Sequence, residues 1–358
     1  MTLVARAARA WVELWDRREP ATALAVVRIL VGLCLLGDLL QVAWLDLVTA
    51  AWAPPPDGLG HGAGARPWVV RWLGAGPGTA HTLWWAATAA AAALTLGLAT
   101  RVAAVAAVLL SAQLAMISPD GDRGIDAVLR AVTLVLACSS CHARWSVDAA
   151  VRRAVGRPFP ALVPAWPRYL LVAQVVWIYF SGGHNKTMPE WTPVGDFAAL
   201  GRVLSDPHFA RFDPDWVPAV FPLPACATAV TMLFEWGAPL LLLVLWYEAT
   251  AERPGRLRRW CVRFRVRWIW IATGVLFHLG IALTLRLGVF PWGMLALYPV
   301  LLRADELARL EGWLRRRRGG GGGGAAQAGP AGGSSPPAGG LSPPAGAVAG
   351  ASSGTGPS

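Results

Sequence analysis

Long apolar stretches constrain this chain more than any other feature. A helix needs about 17 to 25 consecutive apolar residues to cross roughly 30 Å of hydrocarbon, where every backbone N–H and C=O must be bonded within the segment. Eight stretches meet or approach that length: residues 21–45, 81–98, 102–117, 125–138, 168–181, 223–247, 268–285 and 288–302. The third, fourth and eighth are short for a span. With 55% hydrophobic and 15% charged residues over 358 positions, the chain has too little charge to cover a soluble domain of its size. The sequence predicts an all-α polytopic integral membrane bundle of about eight transmembrane helices plus interfacial helices.

Charge orients the bundle. Of the 32 basic residues, 23 fall in segments that alternate onto one side if the N-terminus is inside, 7 fall on the other side, and Arg28 and Arg130 lie within spans. Both termini are therefore predicted cytoplasmic and the protein is placed in the inner or plasma membrane, with membrane lipid as its surroundings. Basic clusters confined to short loops match this pattern and not a nucleic-acid surface, so no nucleic-acid partner is expected. The first apolar run follows an arginine-rich leader and is too long for a signal-peptide core, so it is expected to stay as an uncleaved anchor. Four segments result: an N-terminal cytoplasmic or interfacial helix over 1–20, the transmembrane domain over 21–303, a basic juxtamembrane helix over 304–318, and a Gly/Ala/Ser/Pro tail over 319–358 with no charge, expected to be disordered. Two outer segments, 48–79 and 182–222, are long enough to carry function.

Charged side chains inside a span cost about 2.5–3.5 kcal/mol each on insertion scales, so each asks for a partner or a wet cavity. They are Arg28, Asp38, Asp126, Arg130, Glu235 and His278. Asp126 and Arg130, four apart on one helix face, are expected to pair with each other. Arg28 and Asp38 lie about 15 Å apart along their helix, so each needs a partner from elsewhere. Glu235 and His278, both near mid-span, are expected to share a hydrogen bond, as an internal clamp or as part of a site. Lys186 stands apart from all of these. It is the single lysine beside 31 arginines, and lysine can give up its proton in a dry pocket where arginine cannot. Two readings stand for it, a base at the outer interface or a snorkelling interfacial cation.

Cys138-Ser139-Ser140-Cys141-His142 has the spacing of a covalent haem site. It falls at the predicted inner end of the fourth span, in a reducing compartment, so it reads as a chance match with free thiols. No zinc spacing, phosphate-binding loop or nucleophile elbow appears, and no metal site is predicted.

Several stretches recur in an order that resembles one family. They are Val27-Arg28-Ile29-Leu30-Val31-Gly32-Leu33, Gly121-Asp122-Arg123-Gly124-Ile125-Asp126, Trp145-Ser146-Val147-Asp148-Ala149, Tyr179 through Trp191, Phe234-Glu235-Trp236-Gly237, and Phe277-His278-Leu279-Gly280 with Leu287-Gly288-Val289-Phe290. The chain resembles the HTTM (horizontally transferred transmembrane) domain proteins, which include the membrane domain of vitamin K-dependent gamma-carboxylase, over residues 20–303. The resemblance implies that Lys186, followed five residues later by Trp191, is the base that starts oxidation of a reduced quinone. In that family reaction the oxygenated quinone then removes a glutamate γ proton and carbon dioxide adds. His184, in the same stretch, is a second catalytic candidate, and a polar cavity opening outward is expected, lined by some of Lys186, His184, Asp38, Asp126, Arg130, Glu235 and His278. Three departures set the chain apart from the carboxylase: Asn185 where the carboxylase has a second lysine, Gly121-Asp122-Arg123-Gly124 where it has a functional histidine, and an arginine cluster with a tail where it continues into a large domain. Shorter relatives that help mature an exported peptide, with a separately encoded partner protein, are closer in architecture. Two functions follow as expectations: a quinone-dependent carboxylase-like enzyme or maturation factor, and a non-catalytic membrane scaffold or carrier.

Overall fold

The computed structural model of the protein describes residues 5, 12–13, 15–60 and 67–319. Most of the helix expected over 1–20, and all but the first residue of the tail expected over 319–358, lie outside them. Each of the eight apolar stretches carries a helix. In chain order the helices are α1 (Thr22–Trp44), α2 (Val48–Trp52), α3 (Trp68–Leu73), α4 (Pro77–Leu96), α5 (Thr100–Ile117), α6 (Gly124–Ala137), α7 (Val147–Ala154), α8 (Trp166–His184), α9 (Ala199–Ser205), α10 (Pro222–Trp236), α11 (Ala238–Ala249), α12 (Arg256–Arg263), α13 (Val266–Thr284), α14 (Phe290–Leu295) and α15 (Ala304–Gly319). The fold is nearly all-α. Its departures, among the described residues, are a two-residue antiparallel ladder of β1 (Arg18–Glu19) with β2 (Val163–Pro164) and a single bridge between Ala210 and Leu285.

Three helices, α1, α5 and α13, are each long and apolar enough to cross a membrane alone, and a bent pair formed by Pro214–Val220 and Pro222–Trp236 brings the number to at most four among the described residues. α4 and α8 are as long but less apolar: α4 is built largely of alanine and threonine, and α8 carries Pro167, Gln174 and His184. The sixth apolar stretch is interrupted at Gly237, just before Pro239, and becomes α10 and α11. The eighth breaks into α14 and a 3-10 turn at Tyr298–Leu301, where Pro299 has no N–H to continue an α-helix.

The buried part of α1 is its N-terminal part. Leu24, Val27, Arg28 and Val31 recur at helical spacing on its buried face, and the apolar ones pack with Leu129, Val132 and Leu136 of α6 and Val175 of α8. Gly32 lets α1 touch α4, since a Cβ there would come within 2.9 Å of the Thr95 backbone. α4 ends at Gly97 in the left-handed region (φ 69°), and α5 starts three residues later. The Asp148 carboxylate, from α7, caps that start by accepting from Ala99 N (2.8 Å), Thr100 N (2.9 Å) and Thr100 Oγ1 (2.7 Å). Burial disfavours the charge on Asp148, but the bonds from Thr100 and Ala99 outweigh it and hold its carboxyl below the ordinary value. On the outside the helices present large apolar side chains, among them Leu40, Trp85, Val102, Leu134, Trp177 and Leu276. An apolar surface of this kind is what lipid contact demands.

Candidate functional site

Lys186 sits just past the end of α8, where its backbone N–H donates to Gly183 O (3.2 Å). That turn swings the side chain back over the helix. Lys186 Nζ donates to Glu235 Oε2 at 2.5 Å and to Gly182 O at 3.3 Å, and lies 5.0 Å from the centre of the Trp191 ring. Glu235 closes α10 with 6% of its side chain exposed, against 21% for Lys186. Two glycines make the meeting possible. A Cβ on Gly183 would stand 3.0 Å from Glu235 Cβ and 3.1 Å from Trp236 Cδ1, so α8 and α10 approach this closely only without one. At Gly182 a Cβ would stand 3.6 Å from Glu235 Oε1 and 3.8 Å from Lys186 Nζ, an ordinary contact. His184 does not join the pair. It is exposed and packs on the rings of Phe180 and Trp236, with no hydrogen bond or ion pair among the described residues.

The second polar group surrounds the N-terminus of α6. Arg123 Nε donates to Asp126 Oδ2 (2.9 Å) and its Nη2 to Asp38 Oδ2 (2.6 Å) on α1. Arg130 is held fork to fork by Asp122, at 2.7 and 2.6 Å. The expected Asp126–Arg130 bridge is therefore replaced. The 3-10 turn at Pro119–Gly121 brings Asp122 back over the helix, and Arg123, as N-cap residue, takes Asp126 into a reciprocal capping arrangement.

A third group is buried. His278 Nε2 and Tyr179 Oη are 2.6 Å apart, and Tyr179 Oη and Tyr298 Oη 2.7 Å. This corrects the expected Glu235–His278 bond: Glu235 is turned toward Lys186, and Tyr179 of α8 takes the histidine of α13. His278 Nδ1 has no partner among the described residues.

Arg28, wholly buried, finds backbone carbonyls and, among the described residues, no carboxylate: Cys141 O (3.2 Å), Arg144 O (3.5 Å) and Trp145 O (2.5 Å). Cys141 is buried and its Sγ lies 3.4 Å from Leu136 O, while Cys138 is exposed; both are free thiols. His142 packs edge-on to Phe159, and burial, then the Arg101 cation, push its imidazole below the ordinary value. Arg267, 2% exposed, is paired with Glu248 and Glu306; burial disfavours the charge on Glu306, but the bonds from Arg267, Arg303 N and Trp268 together hold it below its ordinary value. Among the described residues no set of three or more His, Cys, Asp or Glu side chains is placed to hold a metal ion.

Of the seven residues expected to line one polar cavity, Asp38, Asp126 and Arg130 share one. Asp38, Asp122, Arg123, Asp126 and Arg130 line a cavity of about 270 Å³ whose remaining walls are mostly apolar. Arg123 also lines a groove of about 780 Å³ with Gly182, Asn185, Arg286 and the apolar Ile125, Ile178 and Phe290. Lys186, Glu235 and His278 line neither space; Gly182, which lines the groove, is the residue nearest the pair, a Cβ there standing 3.6 Å from Glu235 Oε1 and 3.8 Å from Lys186 Nζ. Arg123, Asp122, Tyr179 and Tyr298 take part in these groups without having been singled out as site residues. Adjacent opposite charges opening a span, and two of only four tyrosines lying in apolar surroundings, were the signals for them.

Fold and site together define a helical membrane protein that gathers ion pairs and a buried tyrosine–histidine chain around α6, α8 and α10. The chain belongs to the HTTM domain family, whose model matches residues 16–245. That stretch includes Arg28, Asp38, Lys186, Trp191 and Glu235 and stops before His278. No curated protein and no solved structure matches the chain.

Proposed function

We propose that this protein is a membrane-embedded enzyme or maturation factor of the carboxylase-related kind, in which Lys186 acts as base toward a lipid-soluble reduced quinone, serving an exported peptide or a separately encoded partner protein. The observation that carries this reading is the pairing of the sole lysine with a buried carboxylate, under a tryptophan ring, beside Gly182 of a groove with apolar walls and a polar end. The groove suits such a cofactor: Ile125, Ile178 and Phe290 would hold its ring and tail, and Ser181, Asn185 and Arg123 would meet its oxygens. When bound, a reduced quinone supplies an acidic hydroxyl and the reducing power that the family reaction draws on.

The chain's own part is proton transfer. Passing the Nζ proton to Glu235 across their contact frees the amine lone pair, and Lys186 then takes a proton from an acidic hydroxyl presented in the groove. The ammonium so formed is stabilised by Gly182 O and by the Trp191 ring. In this proposal a substrate atom approaches Nζ past Gly182, where a side-chain carbon would stand 3.8 Å from it. In the same proposal the eight helical stretches complete eight crossings of the plasma membrane, with both termini cytoplasmic and Lys186 at the outer face.

A second reading, a non-catalytic scaffold or carrier, is favoured by the pairing of the buried charges: Arg28 by three carbonyls, Arg267 by two carboxylates, Arg168 by Glu19. The experiment that separates the two is labelling of purified protein with an amine-selective reagent. Protection of Lys186 by a reduced quinone, and not by its hydrocarbon tail alone, supports the enzyme. Labelling unchanged by any quinone leaves the scaffold.

A further inference from the structure

The cavity of about 270 Å³ between α1, α4, α5 and the start of α6 has no part in the proton transfer proposed for Lys186. Its shape follows from composition. α4 and α5 turn Ala87, Ala91 and Ala107 toward it, so the helices leave a gap where leucines would have met. Leu35, Leu39 and Leu114 complete an apolar slot. The volume is nearly twice the roughly 150 Å³ of an engineered apolar cavity that binds benzene.

One end of the slot is charged, and the balance there is uneven. Three carboxylates, Asp38, Asp122 and Asp126, face two guanidiniums. Arg130 is fully engaged by Asp122, and Arg123 is divided between Asp126 and Asp38. Asp38 receives a single bond, on Oδ2, so its Oδ1 is without a hydrogen-bond donor among the described residues. Asp38 keeps 25% of its side chain exposed and lines both this cavity and a neighbouring groove of about 610 Å³, so its free oxygen is open to an incoming head group. An acceptor surplus and a net negative charge above an apolar slot suit one kind of molecule.

We propose that this cavity binds an amphiphile with an ammonium head, the head donating to Asp38 and the first part of an alkyl chain lying between α4 and α5. An anionic head would meet the excess carboxylate, and a quaternary one would bring no N–H for Oδ1. The site is separate from the Lys186 groove, and Arg123 is the one residue that lines both spaces.

The test uses full-length protein in phosphatidylcholine nanodiscs and a decylamine carrying a diazirine in its tail, with crosslinked peptides mapped by mass spectrometry. Labelling is expected on residues of α1, α4 and α5 that face the cavity. Unlabelled decylamine should compete at least about tenfold better than decanoate or decanol. Asp38→Asn should weaken labelling at these peptides by about fivefold or more, and Ala107→Leu, which fills the slot, should abolish it, whereas Glu235→Gln should leave it unchanged. Repeating the measurement with phosphatidylethanolamine in the nanodisc identifies the source: protection points to an aminolipid, and its absence to a free amine. Labelling spread over the outer surfaces of the helices, or equal competition by decanoate, overturns the proposal, and both readouts come from the wild-type protein whether or not the variants fold.

Discussion

Lys186 Nζ lies 2.5 Å from Glu235 Oε2, so the end of α8 is tied to the end of α10 by residues 49 positions apart. The pair is the one contact in which the sole lysine meets a buried carboxylate. Its removal is asymmetric. Lys186→Met leaves Glu235 as an uncompensated buried charge and should destabilise the protein by about 2–3 kcal/mol, less than for a fully buried pair because Lys186 is partly exposed. Lys186→Met with Glu235→Leu should recover most of that loss, because neither charge then remains to be solvated. Thermal unfolding of the two single variants and the double variant in one detergent measures the coupling. Additive losses would mean that the two side chains do not interact.

The adjacent glycines divide packing from access. Gly183→Ala forces a Cβ to 3.0 Å from Glu235 Cβ and 3.3 Å from the Trp236 backbone, and should cost about 1–3 kcal/mol by pushing α10 away. Gly182→Ala meets only ordinary contacts, at 3.6 to 3.8 Å, and should fold normally while narrowing the approach to Lys186. Unfolding midpoints together with the rate of amine labelling at Lys186 separate the two effects. Equal stability losses at both positions would contradict this division.

Much of this arrangement was legible in the sequence. The apolar runs each fall on a helix, although three of these, or four with the bent pair, are long and apolar enough to cross a membrane alone, and the order of short motifs, with Lys186 and Trp191 five apart, led to the family whose model matches residues 16–245. Partner choice was harder to read. Asp126 and Arg130 have the right helical spacing, yet a turn at Pro119–Gly121 delivers Asp122 to Arg130 first, and linear spacing carries no information about where a preceding turn folds back. Glu235 and His278 were matched as the two mid-span polar groups on different helices. Tyr179, which intervenes, looks like an ordinary aromatic of an apolar helix until its hydroxyl is placed in three dimensions. The broken sixth and eighth stretches do have local signals, in Gly237-Ala238-Pro239 and Pro299, that hydropathy alone overrides.

Arg28 should be intolerant even of lysine. Its guanidinium reaches Cys141 O, Arg144 O and Trp145 O from one buried position, which a single ammonium cannot reproduce with the same geometry. Arg28→Lys is expected to lose about 1–3 kcal/mol and Arg28→Met more, since the carbonyls are then left without a donor. Gly97→Ala should act on the same centre, because a Cβ there meets Arg28 Nη1 at 2.7 Å and φ is 69°. Thermal unfolding orders the three variants against wild type, and a stable Arg28→Met protein would remove the guanidinium from the set of structural anchors.

Asp148 gives the fold a dependence on acid. Its carboxyl is held below the ordinary value in the folded protein, so its stabilising effect is fully present above the unfolded value near 4 and is lost as the pH falls through the lower folded value. Asp148→Asn should therefore lower stability at pH 7 by about 1 kcal/mol, the usual worth of a helix cap, and the gap to wild type should close toward pH 3. Unfolding midpoints of both proteins from pH 7 to pH 3 check this. A gap that stays constant over that range would assign the loss to packing.

The buried chain of Tyr179, His278 and Tyr298 offers the sharpest test of whether polar groups inside the bundle hold it together. Tyr179 Oη is the middle member, within 2.6 Å of His278 Nε2 and 2.7 Å of Tyr298 Oη, and its ring is packed edge-on against Phe234 and Trp270. Tyr179→Phe keeps all the ring packing and removes only the oxygen, which leaves His278 and Tyr298 facing a gap. His278 Nδ1 already has no partner among the described residues, so the imidazole would then have neither nitrogen bonded within them. The expected loss is about 2–3 kcal/mol, the penalty for two stranded buried groups and not the smaller net worth of one hydrogen bond. His278→Phe in the same background should restore part of it, because Tyr298 is then the one group left unpaired. If Tyr179→Phe unfolds at the wild-type midpoint, the hydroxyl does not hold α8 to α13, and the groups it leaves are satisfied by water.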